Sequence, residues 1–179
     1  MDRVDTALRG ISKSLRDAVL PAVDPADPLA QDQLGLVVRY VDFLRDRIDL
    51  LHGRERAELR YQAGIAAILL ELAPEASAAG CLAVLAEAAR QALADPEQAT
   101  SDIRDCRDQL GTATTKALRE LGRTGKARAI RHAVLARSRT RITRERLWFQ
   151  PLGFDQMQAD PAQLRPLLQH DPTYATKNP

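Results

Sequence analysis

Three histidines, two cysteines and a dense run of arginines are the side chains here that could do chemistry. His52 and Glu55 stand three residues apart. That is the reverse of the Glu-x-x-His order with which di-iron bundles line facing helices, and it occurs once. His132 and His170 lie far away in sequence, so no zinc ligand set can be assembled. His52, beside Gly53, is expected as a solvated helix residue. Cys81 and Cys106 are too few for a disulfide framework and are expected as small buried thiols on inward helix faces. The run "LGRTGKAR" superficially resembles a phosphate loop but lacks both the spacing and a preceding strand. No nucleophile elbow, dinucleotide fingerprint or nucleophile–base pair is present. No catalytic residue, metal or cofactor is assigned, and a non-enzymatic role is the expectation.

The arginines remain. "RHAVLARSRTRITRERLWFQPLGFD", residues 131–155, ends a basic region, 116–146, that holds eleven Lys or Arg against two Glu. The rest of the chain is net acidic, although the whole carries only +2. Such a patch is the usual electrostatic footprint of a polyanion-binding surface, here the helix 126–146. The helical wheel points elsewhere. Ala127, Ile130 and Val134 mark an apolar strip, with Lys126, Arg137 and Arg144 on one flank and Arg128, Arg139 and Arg146 on the other. A groove-reading helix would gather its cations on one outward face. Residues flanking a seam sit where packed helices form ion pairs. Asp42, Asp46 and Asp49, and Asp102, Asp105 and Asp108, are spaced to answer them. The first expectation is therefore a helix docked on acidic neighbours or on another subunit. Leu147, Trp148, Phe149 and Phe154 close the region with large apolar side chains that would plug one end of a bundle. Were this surface to hold a partner, Trp148 and Phe149 would anchor it and Arg137, Arg141 and Arg144 would steer it.

These residues need helices to position them. Ala, Leu, Arg, Glu and Gln are abundant and favour helix, and no useful alternating run suggests a strand. Over 3–20, Val4, Leu8, Ile11, Leu15 and Val19 form one apolar stripe, stopped by Pro21 and "DPADP". Asp27 then offers an N-cap ahead of Pro28. Leu34, Val37, Val41, Leu44, Ile48 and Leu51 alternate steps of three and four without a miss, the a/d pattern of a helical seam. It continues through Gly53 to Leu59, Ala63, Ala66 and Leu70, so one helix over 28–73 is expected, with Gly53 as the place where it could break. A third helix capped by Ser77 turns Leu82, Leu85, Ala89 and Leu93 inward. A fourth, from Thr100 or Ser101, does so with Ile103, Cys106, Leu110, Ala113, Ala117 and Leu121. "GRTG" at 122–125 is a loop, and a fifth helix spans about 126–147. The expected fold is all-α, an antiparallel bundle of about five helices over 1–150. An extended C-terminal arm follows over 151–179, with a short helical turn near 161–169.

The N-terminus carries charges throughout, unlike a secretory signal, and the longest Ala-rich region is split by Pro74 and Glu75. A cytoplasmic protein without a membrane segment is expected. The run "LRDAVLPAVDPADPLAQDQLGLVVRYVDFLRDRID", 15–49, resembles the opening of small uncharacterised all-helical bacterial proteins encoded near acyl-coenzyme A and phosphotransferase-type catabolic enzymes. The resemblance implies an accessory role and carries over no functional residue. The leading functional expectation is a non-catalytic helical protein that forms a homo-oligomer, or docks on a larger enzyme, through its heptad faces. Nucleic-acid binding by 126–146 is the second. A bundle enclosing an apolar ligand beside the small residues at 63–67 and 78–83 is the third.

Overall fold

A computed structural model describes residues 2–153 and 160–169, and these are all helix, turn or loop, with no strand among them. Seven α-helices follow in order: α1 (Asp2–Ser14), α2 (Pro28–Arg47), α3 (Leu51–Leu72), α4 (Ala79–Ala94), α5 (Thr100–Leu121), α6 (Ala127–Phe149) and the short α7 (Leu164–Gln169). The chain forms two compact units: Met1–Leu51 with Trp148–Gln158, and His52–Leu147 with Ala159–Pro179.

In the first unit, α1 widens into a π turn over Leu15–Val19 and tightens into a 3-10 turn over Leu20–Ala22. Pro21 has no N–H to donate, which ends α-helical bonding there. Asp27 caps α2 as expected, accepting from the Ala30 N–H at 3.0 Å, with Pro28 in the first turn. The expected long helix 28–73 is interrupted, but not at Gly53. A 3-10 turn at Ile48–Leu50 separates α2 from α3, and Gly53 lies inside α3. α1 and the π turn after it pair with α2 through Ser12, whose hydroxyl donates to Asp42 at 2.9 Å, and through Arg16, which reaches the same carboxylate; Arg45, on α2 itself, bonds Asp42 and lies 4.0 Å from Asp5 of α1. Phe43 is buried, edge-on to Trp148 at 6.2 Å and stacked on Phe149 at 6.0 Å. The aromatic end of α6 thus packs on Phe43, and Arg47 Nε donates to the Trp148 carbonyl at 3.1 Å. Phe154, the last member of the expected plug, lies outside the described residues.

In the second unit, α3 to α6 enclose a core of Leu59, Ala63, Ala66, Leu69, Leu82, Ala89, Ile103, Leu110, Ala117 and Ile130. The stripes expected on the third and fourth helices are the ones that pack. Burying each Leu or Ile contributes about 1.5–3 kcal/mol, so these stripes, with Leu59, Ile65 and Leu69 of α3, stabilise the unit. Local details depart from expectation. Ser77 does not cap α4; Ala78 precedes the helix, and the Ser77 hydroxyl donates to Glu120 at 3.3 Å. Gly122 ends α5 with right-handed geometry, φ −62°, so its glycine freedom is unused. The left-handed backbone that favours glycine occurs at Gly153, at φ +76°. The short helical turn expected near 161–169 is present as a 3-10 turn and α7, which buries Leu164 and Leu168, and Arg60 donates to the Leu168 carbonyl. Leu168 Cβ would lie 3.8 Å from a Cβ on Gly53. The end of the arm, "TYATKNP", lies outside the described residues.

Candidate functional site

The apolar strip Ala127, Ile130 and Val134, extended by the same three- and four-residue steps, arrives at Arg137, Arg141 and Arg144. α6 keeps its phase, and two of these three arginines are buried inside the second unit, with Arg144 at 1% exposure and Arg137 at 8%. Glu58 on α3, 6% exposed, answers them. Its carboxylate accepts from Arg141 Nε at 2.7 Å and from Arg144 Nη2 at 2.5 Å. Arg141 also lies 5.0 Å from the ring of Tyr61. Tyr61 and Ser138 hydroxyls meet at 2.9 Å, and since Ser138 donates to the Val134 carbonyl, Tyr61 donates to Ser138. Burial alone would raise the Glu58 pKa; hydrogen bonds from Arg141 and Arg144 outweigh it and hold the carboxyl below its ordinary value. Burial likewise works against the Arg141 charge, and the bond to Glu58 more than restores it.

Gly64 makes room for the third arginine. A Cβ built there would overlap the Arg137 guanidinium, whose Nη2 donates to the Arg60 carbonyl at 3.3 Å. Gly64, one of the small residues at 63–67, therefore serves an internal side chain. The partners of the inward arginines were also expected elsewhere. Asp42 bonds to Ser12, Arg16 and Arg45, Asp108 to Arg107, and Asp102 to Gln98 and Ser101, while Glu58 and Gly64 on α3 receive α6.

Beside this seam, an open polar groove of about 830 Å³ runs between α3, α5 and α6. Glu55, held by Arg104 and Arg107, and Glu58 lie along it, and Arg54 at its edge pairs with Glu145 at 2.9 Å. The outer face of α6 is a separate surface. Arg128, Arg131 and Arg139 are exposed there without ion pairs among the described residues, beside exposed Leu135 and Ile142.

Of the residues proposed from sequence as partner contacts, Arg137, Arg144 and Trp148 are buried and Arg141 is half-buried on Glu58 and Tyr61. Phe149, 42% exposed, stacks on Phe43. The structure thus brings the three arginines together through Glu58 and Gly64, and packs both aromatics on Phe43. His52 is half-buried, its Nδ1 2.9 Å from the Thr100 hydroxyl, rather than solvated. Cys81 is exposed, contrary to expectation, and Cys106 is half-buried, where burial pushes its thiol pKa up. No group of three or more potential metal ligands occurs among the described residues.

The surface that sequence placed in the core is on the first unit. Val37 and Leu44 on α2 are 48% and 47% exposed, and Val4 and Ile11 on α1 are 50% and 48% exposed. Both stripes therefore fail to pack as expected. Helical phase sets the α1 stripe about a quarter turn from Ser12, and sets Val37 and Leu44 nearly opposite Asp42 on the far side of α2. On α2 this side reads Ala30, Gln33, Leu34, Val37, Tyr40, Val41, Leu44 and Ile48, without a charge. On α1, Ala7 and Ser14 border the stripe.

The chain matches no protein-family model, no curated protein sequence and no solved structure. Among the described residues no helix is long and apolar enough to cross a membrane.

Proposed function

We propose that this protein is a non-catalytic assembly module that pairs with a second copy of itself through the α1–α2 face. The observation that carries the reading is the charge-free stripe of α2, half exposed at its heptad positions Val37 and Leu44. A solvated helix face normally carries charge at some position, and α1 meets α2 at Asp42 rather than along the a/d stripe, so Val37 and Leu44 are left half exposed. Large exposed apolar faces on soluble proteins mark interaction sites. A second copy fits because the face needs no complementary charge: the same patch can meet itself across a two-fold axis and close as four helices. The accessory role implied by residues 15–49 fits a module that assembles rather than catalyses.

Sedimentation equilibrium of the wild type and of the double variant Val37→Asp/Leu44→Asp tests this. The wild type should give twice 19.8 kDa, and the variant 19.8 kDa with its helical content retained. A monomeric wild type, or a dimer indifferent to both aspartates, would remove the reading.

A second reading has its own observation. Arg128, Arg131 and Arg139 share the outward face of α6 with no carboxylate partner, the arrangement a polyanion would use. It requires nucleic-acid affinity that falls steeply with salt, as counterion release dictates; a flat response would sink it.

A further inference from the structure

The groove of the second unit has a wall that internal pairing leaves unused. Three carboxylates border it, and each is engaged: Glu55 by Arg104 and Arg107, Glu58 by Arg141 and Arg144, Asp108 by Arg107. Lys116 and Arg119, both lining the groove from α5, take part in no ion pair among the described residues. They sit in helical register with Thr112 and Thr115, since positions 112, 115, 116 and 119 fall on one face of α5. Across from them, Gln62 accepts a hydrogen bond from Thr114 through Oε1 at 3.1 Å, while its Nε2 donates to no acceptor among the described residues.

We propose that this groove binds a small anion bearing two or more negative groups, phosphate or carboxylate. Two cations, the Thr112 hydroxyl and a primary amide are donors that bind such oxyanions, with Lys and Arg supplying charge-assisted bonds; the Thr115 hydroxyl already donates to the Gly111 carbonyl at 2.8 Å. The helix dipole favours a cation at Arg119, in the last turn of α5. That local effect does not account for Lys116, Thr112 and Gln62 addressing the same space. The volume of about 830 Å³ lies in the range of small-ligand sites. The lining has no aromatic or aliphatic side chain to stack a base or bury a hydrocarbon, so the ligand is compact and polar.

The site is independent of the α1–α2 face and of the outer face of α6, and its test keeps all three apart. Inorganic pyrophosphate and citrate are titrated calorimetrically into the full chain, into Lys116→Gln/Arg119→Gln, and into Arg128→Gln/Arg131→Gln. The expected result is saturable binding of at least one anion by the wild type. The groove variant should bind about tenfold more weakly or worse, and the α6 variant with unchanged affinity. Preference for pyrophosphate identifies a phosphate-bearing ligand, and preference for citrate a polycarboxylate. Binding of neither anion by the wild type would overturn the proposal. So would affinity that survives in the groove variant, or that is lost equally in the α6 variant. All the substituted residues are exposed, and a circular dichroism spectrum identical to wild type secures the comparison.

Discussion

α2 and α6 carry opposite kinds of stripe, and the fold treats each against its composition. The α2 stripe is wholly uncharged, yet Val37 and Leu44 remain half exposed. The α6 stripe turns from Ala127, Ile130 and Val134 to Arg137, Arg141 and Arg144, and two of those arginines are buried. Heptad spacing identifies a face that will be covered; it does not say by what. On α6 the cover is a carboxylate and a glycine of the same unit. On α2 we assign it to a second copy.

Breaking the α6 side gives the largest expected effect. Glu58→Ala leaves Arg141 and Arg144 without their shared carboxylate, and urea unfolding should show a loss of about 3–5 kcal/mol, as when one partner of a buried ion pair is removed. An unchanged midpoint would mean the arginines can swing out to water. Gly64→Ala drives a methyl into the Arg137 guanidinium and should cost about 1–3 kcal/mol in the same assay. Were it neutral, Arg137 would have no fixed seat on α3.

Acid should act through Glu58 in a defined direction. Its folded pKa lies below the ordinary glutamate value, so its contribution is present above that value and is lost as pH falls through the folded pKa. Stability should decline below about pH 4.5, and Glu58→Gln should flatten that limb. An unaltered acid limb in the variant would assign the decline to other carboxylates. The smallest effect belongs to the outward arginines. Arg128→Gln and Arg139→Gln should each shift stability by no more than about 0.5 kcal/mol, because they have no ion partner to lose. A larger loss from either would place it in the same structural class as Arg144.

The core of the second unit was legible because its stripes are long, apolar and continuous: Leu82 and Ala89 on α4, and Ile103, Leu110, Ala117 and Leu121 on α5, pack as their spacing requires. Arg137 and Arg144, expected on one flank of the α6 strip, are its continuation together with Arg141. Stepping on from Val134 would have reached them, but residue type argued against burial. Glu58, the decisive partner, is one glutamate among many. Only its position on α3, a single turn before Gln62 and facing α6, makes it special, and that needs three dimensions. The groove was illegible for the same reason, since Gln62, Thr112, Lys116 and Arg119 meet across two helices. The interruption at Ile48–Leu50 carried no glycine or proline to announce it. The half-exposure of Val37 and Leu44 could not be read from a pattern that looks the same whether its partner lies within the chain or outside it.

The measurement that tests the assignment of α2 most directly is sedimentation equilibrium of the wild-type protein at low and at high salt. Salt screens exposed charges separated by more than a Debye length, which shortens from about 10 Å at 0.1 M to about 3 Å at 1 M, and it does not weaken apolar burial. A charge-free face predicts a dimer of twice 19.8 kDa that holds or tightens as salt rises. A dimer that dissociates with salt would mean the arginines of α6 make the contact, and a monomer at both salts would leave the α2 stripe without a partner; either result contradicts the account.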